Sequence, residues 1–171
     1  DRRFTFLNHL YYDHAPRAGS LREFLRTLKT STPGEGGRSP VEPIDPAFVD
    51  RAARVARMDA QGVETALLFP TLAVTVEQPL GDDPDVLYAN LRSFNTWLDE
   101  DWGFDRDGRI IAPPLLNLLD LDLAVAELTR VLDRGARAIT VRPGPAYGRN
   151  PFHPDFDPFW ARVDEAAIPV C

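Results

Sequence analysis

Arg142 is the residue of this sequence best placed to bind a charged small molecule. It follows the predicted strand 138–141 and precedes Pro143-Gly144-Pro145, so it lies at the carboxyl end of that strand. In parallel α/β folds, ligand and catalytic sites lie at this end of the strands. A guanidinium there can hold a carboxylate or a phosphate through two parallel hydrogen bonds. The alternative is an ion pair between Arg142 and an Asp on a neighbouring loop.

Polar and aromatic residues follow the other predicted strands in the same way. Pro70 and Thr71 come after one strand and Asn117 after another, and each can present a hydroxyl, an amide or a backbone group to a ligand. Residues of these types more often cap the next helix or close a turn. Tyr147 and His153, on the long loop after the arginine, can form a wall of the same pocket; the alternative is that they are ordinary loop surface.

The histidines do not form a recognisable metal motif. His9 and His14 are five residues apart, with Asp13 beside His14, which places the two rings on neither the same face of a helix nor the same face of a strand. The His-x-x-x-His spacing is absent, so we predict no metal site at this pair. Cys171 is predicted to be a buried thiol, because Val170 beside it supplies no positive charge. The sequence also lacks a nucleophile elbow, a dinucleotide-binding glycine motif and a Cys-x-x-Cys pair.

Four helix–strand units must position the residues at the strand ends. Apolar residues recur at three- and four-residue steps over each helix, which gives the helix one apolar face. Asp-Pro pairs at 45–46, 83–84 and 157–158 are predicted to open three helices, because Asp caps free N–H groups and Pro needs no partner at the first helical position. The predicted helices are 45–61, 87–102, 121–134 and 159–166, three of them ended by Gly62, Gly103 and Gly135, and the predicted strands are 63–69, 110–115, 138–141 and 168–171.

The alternation of strands with helices predicts a parallel sheet. Most helix-to-strand turns are short, whereas the strand-to-helix connections 70–82 and 142–157 are long. Long loops along one edge of a parallel sheet mark the edge that carries a ligand or catalytic site. The loops therefore place the site on the same edge as the arginine.

The first 44 residues are less regular than the rest. Ser20 and Glu23 form a capping box that predicts a short helix. Residues 31–43 are rich in Gly, Pro, Ser and Thr, which is typical of a surface loop. We therefore predict an irregular N-terminal segment over 1–44 and an α/β unit over 45–171.

The composition excludes several classes of protein. With 44% hydrophobic and 26% charged residues over 171 positions, the chain is typical of a globular domain with a real core. A net charge of −7 argues against nucleic acid or an anionic membrane surface as a partner. One cysteine excludes an internal disulfide, so a reducing compartment, the cytoplasm, is the default. The residues at the strand ends predict a small-molecule ligand, and the sequence is compatible with a homo-oligomer.

Both ends suggest that the chain is a portion of a longer protein. Asp1 leads almost at once into a β-type run, and Cys171 lies in an apolar run typical of the start of a buried strand. A strand that stopped there would lack half of its hydrogen bonds. The alternative is a natural half-size domain.

Six stretches, taken in order, resemble a known family: 57–71, 88–98, 109–115, 125–139, 156–161 and 168–170. The family they resemble is the amidohydrolase-2 family, whose members are metal-dependent hydrolases and decarboxylases related to aminocarboxymuconate-semialdehyde decarboxylase. The resemblance implies a distorted (β/α)8 barrel, of which this chain supplies helix one to the start of strand five.

The resemblance further implies how the chain contributes to a site. In this family a divalent metal, Zn²⁺ by preference, is held by a His-x-His pair after strand one, a His after strand five and an Asp after strand eight, and the sequence has no counterpart of them. The resemblance thus implies that this portion alone is inactive and that it supplies the substrate-side wall. That wall consists of Phe69, Pro70, Thr71, Asn117 and Arg142. An acidic or aromatic small molecule suits Arg142, and the alternative from another class is a non-catalytic α/β module of flavodoxin-like size that binds a ligand or a partner.

Overall fold

The computed structural model describes residues 44–71, 73–75, 77 and 79–171. The chain divides into two units, Asp1–Ile44 and Asp45–Cys171, and all described residues except Ile44 belong to the second. The predictions for residues 1–43, which include the short helix, the glycine-rich loop and the pair His9 and His14, lie outside the described residues.

The described residues form four α-helices where the apolar periodicity predicts them: α1 (Arg51–Gln61), α2 (Pro84–Trp97), α3 (Leu121–Asp133) and α4 (Asp157–Ala166). Each of the first three begins at an Asp whose carboxylate accepts a backbone hydrogen bond, which contributes about 1 kcal/mol to the stability of a helix. The pairs are Asp50 with Ala53 at 2.7 Å, Asp83 with Val86 at 3.2 Å and Asp120 with Leu123 at 3.0 Å. Gly62 ends α1 at φ 69°, a conformation that glycine adopts without a Cβ clash. None of these helices has the length and apolar character that crossing a membrane requires.

Of the three predicted Asp-Pro helix starts, the one at Asp45 is wrong, and at Asp157 the helix begins as predicted but the predicted cap is absent. Asp45 caps only a 3₁₀ turn, Pro46–Phe48, and α1 begins later because Asp50 supplies its cap. Asp157 is already the first residue of α4 and has helical backbone angles, so it cannot take the extended conformation of a cap. Phe156 before it makes no side-chain cap.

The strands are parallel, as predicted, and shorter than predicted. β1 (Ala66–Leu67) pairs with β2 (Ile110–Ile111), and β3 (Leu115–Leu116) pairs with β4 (Thr140–Val141). An isolated parallel bridge joins Ile139 to Val170. The pairings therefore follow the order of the chain.

The prediction of one strand over 110–115 is wrong, because two strands with different partners occupy this stretch. Pro113 and Pro114 separate them, and proline has no N–H with which to continue a ladder. The Pro114 carbonyl still accepts a hydrogen bond from the N–H of Thr140 at 2.8 Å. The predicted strand 168–171 pairs only around its single bridge, and Cys171, at the end of that segment, is exposed rather than buried.

A buried amide holds the chain where β2 and β3 separate. Asn95 of α2 donates to the carbonyl of Leu115 at 3.0 Å and accepts from the N–H of the same residue at 2.9 Å, so its side chain takes the place of a neighbouring strand. The amide also donates to Oε1 of Glu127 at 2.9 Å. Arg130 binds both oxygens of Glu127, at 2.7 and 2.8 Å. These contacts tie α2, β3 and α3 together.

Apolar side chains from the helices and strands form the core. Each large side chain that folding buries contributes about 1.5–3 kcal/mol. One cluster, which joins β3 to α3 and α4, contains Leu116, Leu128, Ile139, Phe156, Phe159 and Val163. A second, around α1 and β2, contains Met58, Trp102, Phe104, Ile110 and Val131.

We expect Asn95→Ala to lower the free energy of unfolding by about 2–3 kcal/mol, because it removes the partners of two buried backbone groups of Leu115. Urea denaturation of the variant and the wild type measures this difference. Asn90→Ala, on the exposed side of the same helix, is the matched control and should change the free energy of unfolding by less than about 0.5 kcal/mol. A loss for Asn95→Ala no larger than that of the control would contradict the role given to this amide.

Candidate functional site

Loops at the carboxyl ends of β1, β3 and β4 enclose a small cavity. Its polar lining consists of Glu77 from the loop after β1, Asn117 after β3, and Arg142 and Tyr147 after β4. The remaining lining residues carry no charge: Leu116, Leu118, Val141, Gly144, Pro145, Ala146 and Pro151. Polar groups thus converge at the edge of the sheet that the long loops indicated.

Glu77 and Arg142 form the one charged pair of this cavity. Oε2 of Glu77 lies 3.9 Å from Nε of Arg142. The two partners differ in exposure, since the side chain of Glu77 is 1% exposed and that of Arg142 is 43% exposed. The other oxygen of Glu77, Oε1, is buried and has no hydrogen-bond partner among the described residues. The ion pair that sequence analysis offered as the alternative for Arg142 therefore exists, with a Glu in place of the expected Asp.

Burial raises the pKa of Glu77 from 4.5 to about 7, because an ionised carboxylate would lose most of its hydration at this position. The guanidinium of Arg142 and the amide of Asn117 oppose the shift, since both favour the ionised form. Glu77 therefore changes its charge near neutral pH. Carboxyl groups with such shifted pKa values are concentrated at functional sites.

Asn117 closes a turn and also faces the cavity. Its Oδ1 accepts a hydrogen bond from the N–H of Leu119 at 2.8 Å, which is the turn-closing role that the sequence left open. Its carbonyl oxygen lies 2.8 Å from the hydroxyl of Tyr88, which is also 2.8 Å from the carbonyl oxygen of Asp120. Burial raises the pKa of Tyr88, so the phenol stays a neutral donor. The hydroxyl of Tyr88 on α2 therefore holds the turn after β3 in place.

Tyr147 brings a second phenol to the cavity from the loop after β4. Its backbone is left-handed, with φ 49°, a conformation that few residues other than glycine adopt. Such strain is often found at functional sites. Burial raises the pKa of Tyr147, while the Asn117 side chain lowers it, so the amide lies beside this phenol as well as beside Glu77.

The cavity itself is small, with a volume of about 20 Å³. That is room for about one water molecule. A small organic molecule could not enter it, so a ligand would meet Arg142 from its exposed side. Glu77, Asn117 and Tyr147 line the cavity on the buried side of Arg142.

The structure brings together three of the residues that sequence analysis selected for the site, Asn117, Arg142 and Tyr147. The other four do not line the cavity. Phe69 is exposed, Pro70 is buried, and the hydroxyl of Thr71 lies 3.4 Å from the carbonyl of Phe69. His153 caps the turn Pro154–Phe156, where its Nδ1 accepts from the N–H of Asp155 at 3.3 Å. Substrate contact by any of the seven stays a prediction.

Sequence analysis missed Glu77. The residue lies in the long loop after β1, on the edge of the sheet where the loop lengths predict a site. Its burial depends on contacts with the loops after β3 and β4, which no local pattern reveals. The available signal was that Glu77 is the one carboxylate of the loop before Asp82.

The residues around this cavity do not fit a metal ion. Glu77 is the only carboxylate in the lining, and it is paired with a guanidinium. Among residues 44–71, 73–75, 77 and 79–171, no group of three or more His, Cys, Asp or Glu side chains is arranged to bind a metal. The donors present suit an anion and a hydrogen-bonded organic group instead.

A larger groove of about 470 Å³ lies along α4, lined by Phe152, Asp157, Trp160, Val163, Asp164, Ala167 and Ile168. It is largely apolar and its two charged side chains have the same sign. The small cavity is therefore the better candidate site.

Among solved structures similar to this chain is an amidohydrolase from Mycobacterium avium subsp. paratuberculosis K-10. The two are 47% identical, with a TM-score of 0.70, over 73% of this chain and 34% of that chain. The family resemblance is confirmed. A 2,6-dihydroxybenzoate decarboxylase complexed with 2,6-dihydroxybenzoate is 26% identical with a TM-score of 0.54, over 84% of this chain and 44% of that one. The 2,6-dihydroxybenzoate decarboxylase from Rhizobium is 26% identical with a TM-score of 0.53, at the same coverages.

The chain spans about a third of the length of this amidohydrolase and less than half of the length of either decarboxylase. No family model matches the chain, and no curated protein matches it. The helices and short parallel strands therefore match part of the amidohydrolase-type structures.

Glu77 should make the stability of the protein depend on pH. Its pKa in the folded state is raised, so its contribution is fully present below about pH 4.5 and is lost as the pH rises through about 7. The expected loss is about 3 kcal/mol in the free energy of unfolding. Glu77→Gln cannot ionise, so the variant should be more stable than the wild type above pH 7 and about equally stable near pH 4.5.

Urea denaturation at several pH values measures this difference. Glu100→Gln, at an exposed position, is the control and should follow the wild type at every pH. If the difference between wild type and Glu77→Gln did not change with pH, Glu77 would not titrate in the folded protein as described.

Proposed function

We propose that the protein is a hydrolase or decarboxylase of the amidohydrolase type, and that this chain supplies the substrate-side wall of its active site. The observation that carries the proposal is the position of Arg142. Its guanidinium is 43% exposed at the carboxyl end of β4 and is the only cation among the residues that line the cavity. It is therefore suited to bind the anionic group of a small molecule through two parallel hydrogen bonds.

The architecture we propose for residues 45–171 is part of a distorted (β/α)8 barrel, from the first helix to the start of the fifth strand. Sequential strands are neighbours in such a barrel. In this chain the stretch that contains β2 and β3 pairs with β1 through one strand and with β4 through the other. A flavodoxin-like sheet has the order 2-1-3-4-5, which separates the second strand from the third. The observed pairing thus supports the barrel over a flavodoxin-sized binding module.

An acid carried on an aromatic ring is the substrate class that we propose. The similar decarboxylase is complexed with 2,6-dihydroxybenzoate, which is a molecule of this class. Arg142 would bind the carboxylate, and the ring would need an apolar neighbour. Phe69, at the end of the first strand segment and 58% exposed, can supply one, with Pro70 and Thr71 beside it.

The resemblance to the family implies a divalent metal, Zn²⁺ by preference, in the full-length protein. The described residues do not fit such an ion, so its ligands would lie outside them. The role of the described residues is to bind and orient the substrate. Asn117 and Tyr147 contribute by surrounding the arginine with neutral hydrogen-bonding groups.

In the full-length enzyme, Arg142→Ala should raise KM roughly ten- to a hundred-fold, because it removes a charge-assisted contact of about 1.5–3 kcal/mol. Arg142→Lys should recover part of this loss, since an ammonium cannot reproduce the planar fork. Steady-state kinetics with a series of benzoate derivatives measures both.

Arg137→Ala is the matched control. Arg137 lies near the amino end of β4, where it is 77% exposed and pairs with Asp105 at 3.5 Å. Its removal should leave KM unchanged. If Arg142→Ala instead lowers the melting temperature while KM stays normal, the arginine is only a structural partner of Glu77 and the proposed role fails.

A further inference from the structure

The charged pair of the cavity is asymmetric in a way that bears on anion binding. Glu77 is buried, while Arg142 is nearly half exposed. The 3.9 Å between Oε2 and Nε exceeds a hydrogen-bond distance, so Arg142 can turn toward solvent without breaking a hydrogen bond to Glu77. Arg142 can therefore contact a ligand from its exposed side, where the carboxylate of Glu77 is not accessible.

The net charge that an incoming anion meets depends on one proton. Among the residues that line the cavity, Arg142 is the only cation and Glu77 the only carboxylate. With Glu77 ionised, the two charges cancel. With Glu77 protonated, the guanidinium is the single charge of the site. Electrostatic attraction for an anion is therefore much stronger in the protonated state.

We propose that Glu77 is a positioning residue that controls anion binding at Arg142: when Glu77 carries a proton, Arg142 is free to bind the carboxylate of a small acid, and when Glu77 loses that proton it draws Arg142 back. The proposal rests on the function proposed above, in which Arg142 binds the anionic group of the substrate. Glu77 acts through Arg142 and does not contact the ligand. The cavity that Glu77 lines has room for about one water molecule, so the ligand cannot enter it.

The groups that face Glu77 leave it as the one that titrates near neutral pH. They are Arg142 after β4, Tyr147 on the following loop and Tyr88 on α2. Burial raises the pKa of both phenols, so they remain neutral, and the guanidinium keeps its charge. Burial brings the pKa of Glu77 to about 7. Anion binding at Arg142 should therefore weaken as the pH rises through this value.

Benzoate is a suitable probe, because its carboxylate stays ionised across the whole range. Titration calorimetry on the full-length protein, from about pH 5.5 to about pH 8.5, gives its dissociation constant and, in buffers of different ionisation enthalpy, the protons taken up on binding. For the wild type we expect a constant dissociation constant below about pH 6 and a rise of about tenfold per pH unit above 7. Proton uptake should approach one per benzoate at the upper end.

Glu77→Gln should bind benzoate with a dissociation constant that does not change with pH and is close to the wild-type value at low pH, without proton uptake. Glu100→Gln, an exposed carboxylate away from the lining of the cavity, is the control and should keep the wild-type profile. Proton uptake by the wild type tests the inference even if Glu77→Gln does not fold.

Two sets of results would overturn the inference. One is a wild-type profile retained in Glu77→Gln, or wild-type binding without proton uptake. The other is weaker binding by Glu77→Gln at every pH, which would mean that the carboxylate holds Arg142 in its binding position. The variant Arg142→Ala distinguishes a failure of the inference about Glu77 from a failure of the proposed function of Arg142. Benzoate binding unchanged in Arg142→Ala, or absent from the wild type at every pH, would contradict the proposed function itself.

Discussion

The amide of Asn95 is the contact on which the geometry of the site depends. Pro113 and Pro114 stop the ladder of β2, and the chain then has to begin a new pairing with β4. Asn95 binds both backbone groups of Leu115 at this point and so fixes where β3 starts. The register that follows places Leu116 opposite Val141. The residues that come next, one after each strand, are the amide and the guanidinium of the site.

The second constraint is the burial of Glu77, which acts against stability. A carboxylate with a partner at 3.9 Å and one unbonded oxygen is poorly compensated for the hydration it loses. A neutral side chain at this position would be more stable above neutral pH. Such a cost is usual where a site needs a charge that can change. The buried Glu77 also forms the ion pair with Arg142 that joins the loop after β1 to the loop after β4. This pair therefore belongs both to the fold and to the candidate site.

The helices and the edge that carries the cavity could be predicted from the sequence because their signals are local. Apolar periodicity, the cap at Asp83 and Gly62 depend on residues within a few positions of one another. The division of 110–115 into two strands depends on which neighbouring strand each half pairs with. Hydrophobic periodicity carries no information about these pairings. The placement of Asn117 and Arg142 at strand ends was visible. Their neighbour Glu77 was not, because its burial is created by loops that are distant in the sequence.

The pKa of Glu77 itself is the most direct test of this account. Carbon NMR of the side-chain carboxyl, in protein labelled at glutamate and assigned by comparison with Glu77→Gln, gives this value with and without benzoate. We expect a pKa of about 7 for Glu77 in the free protein, and a higher pKa with benzoate bound, since the anion takes Arg142 away from the carboxylate. A pKa near 4.5, the ordinary value, that benzoate does not change would contradict it.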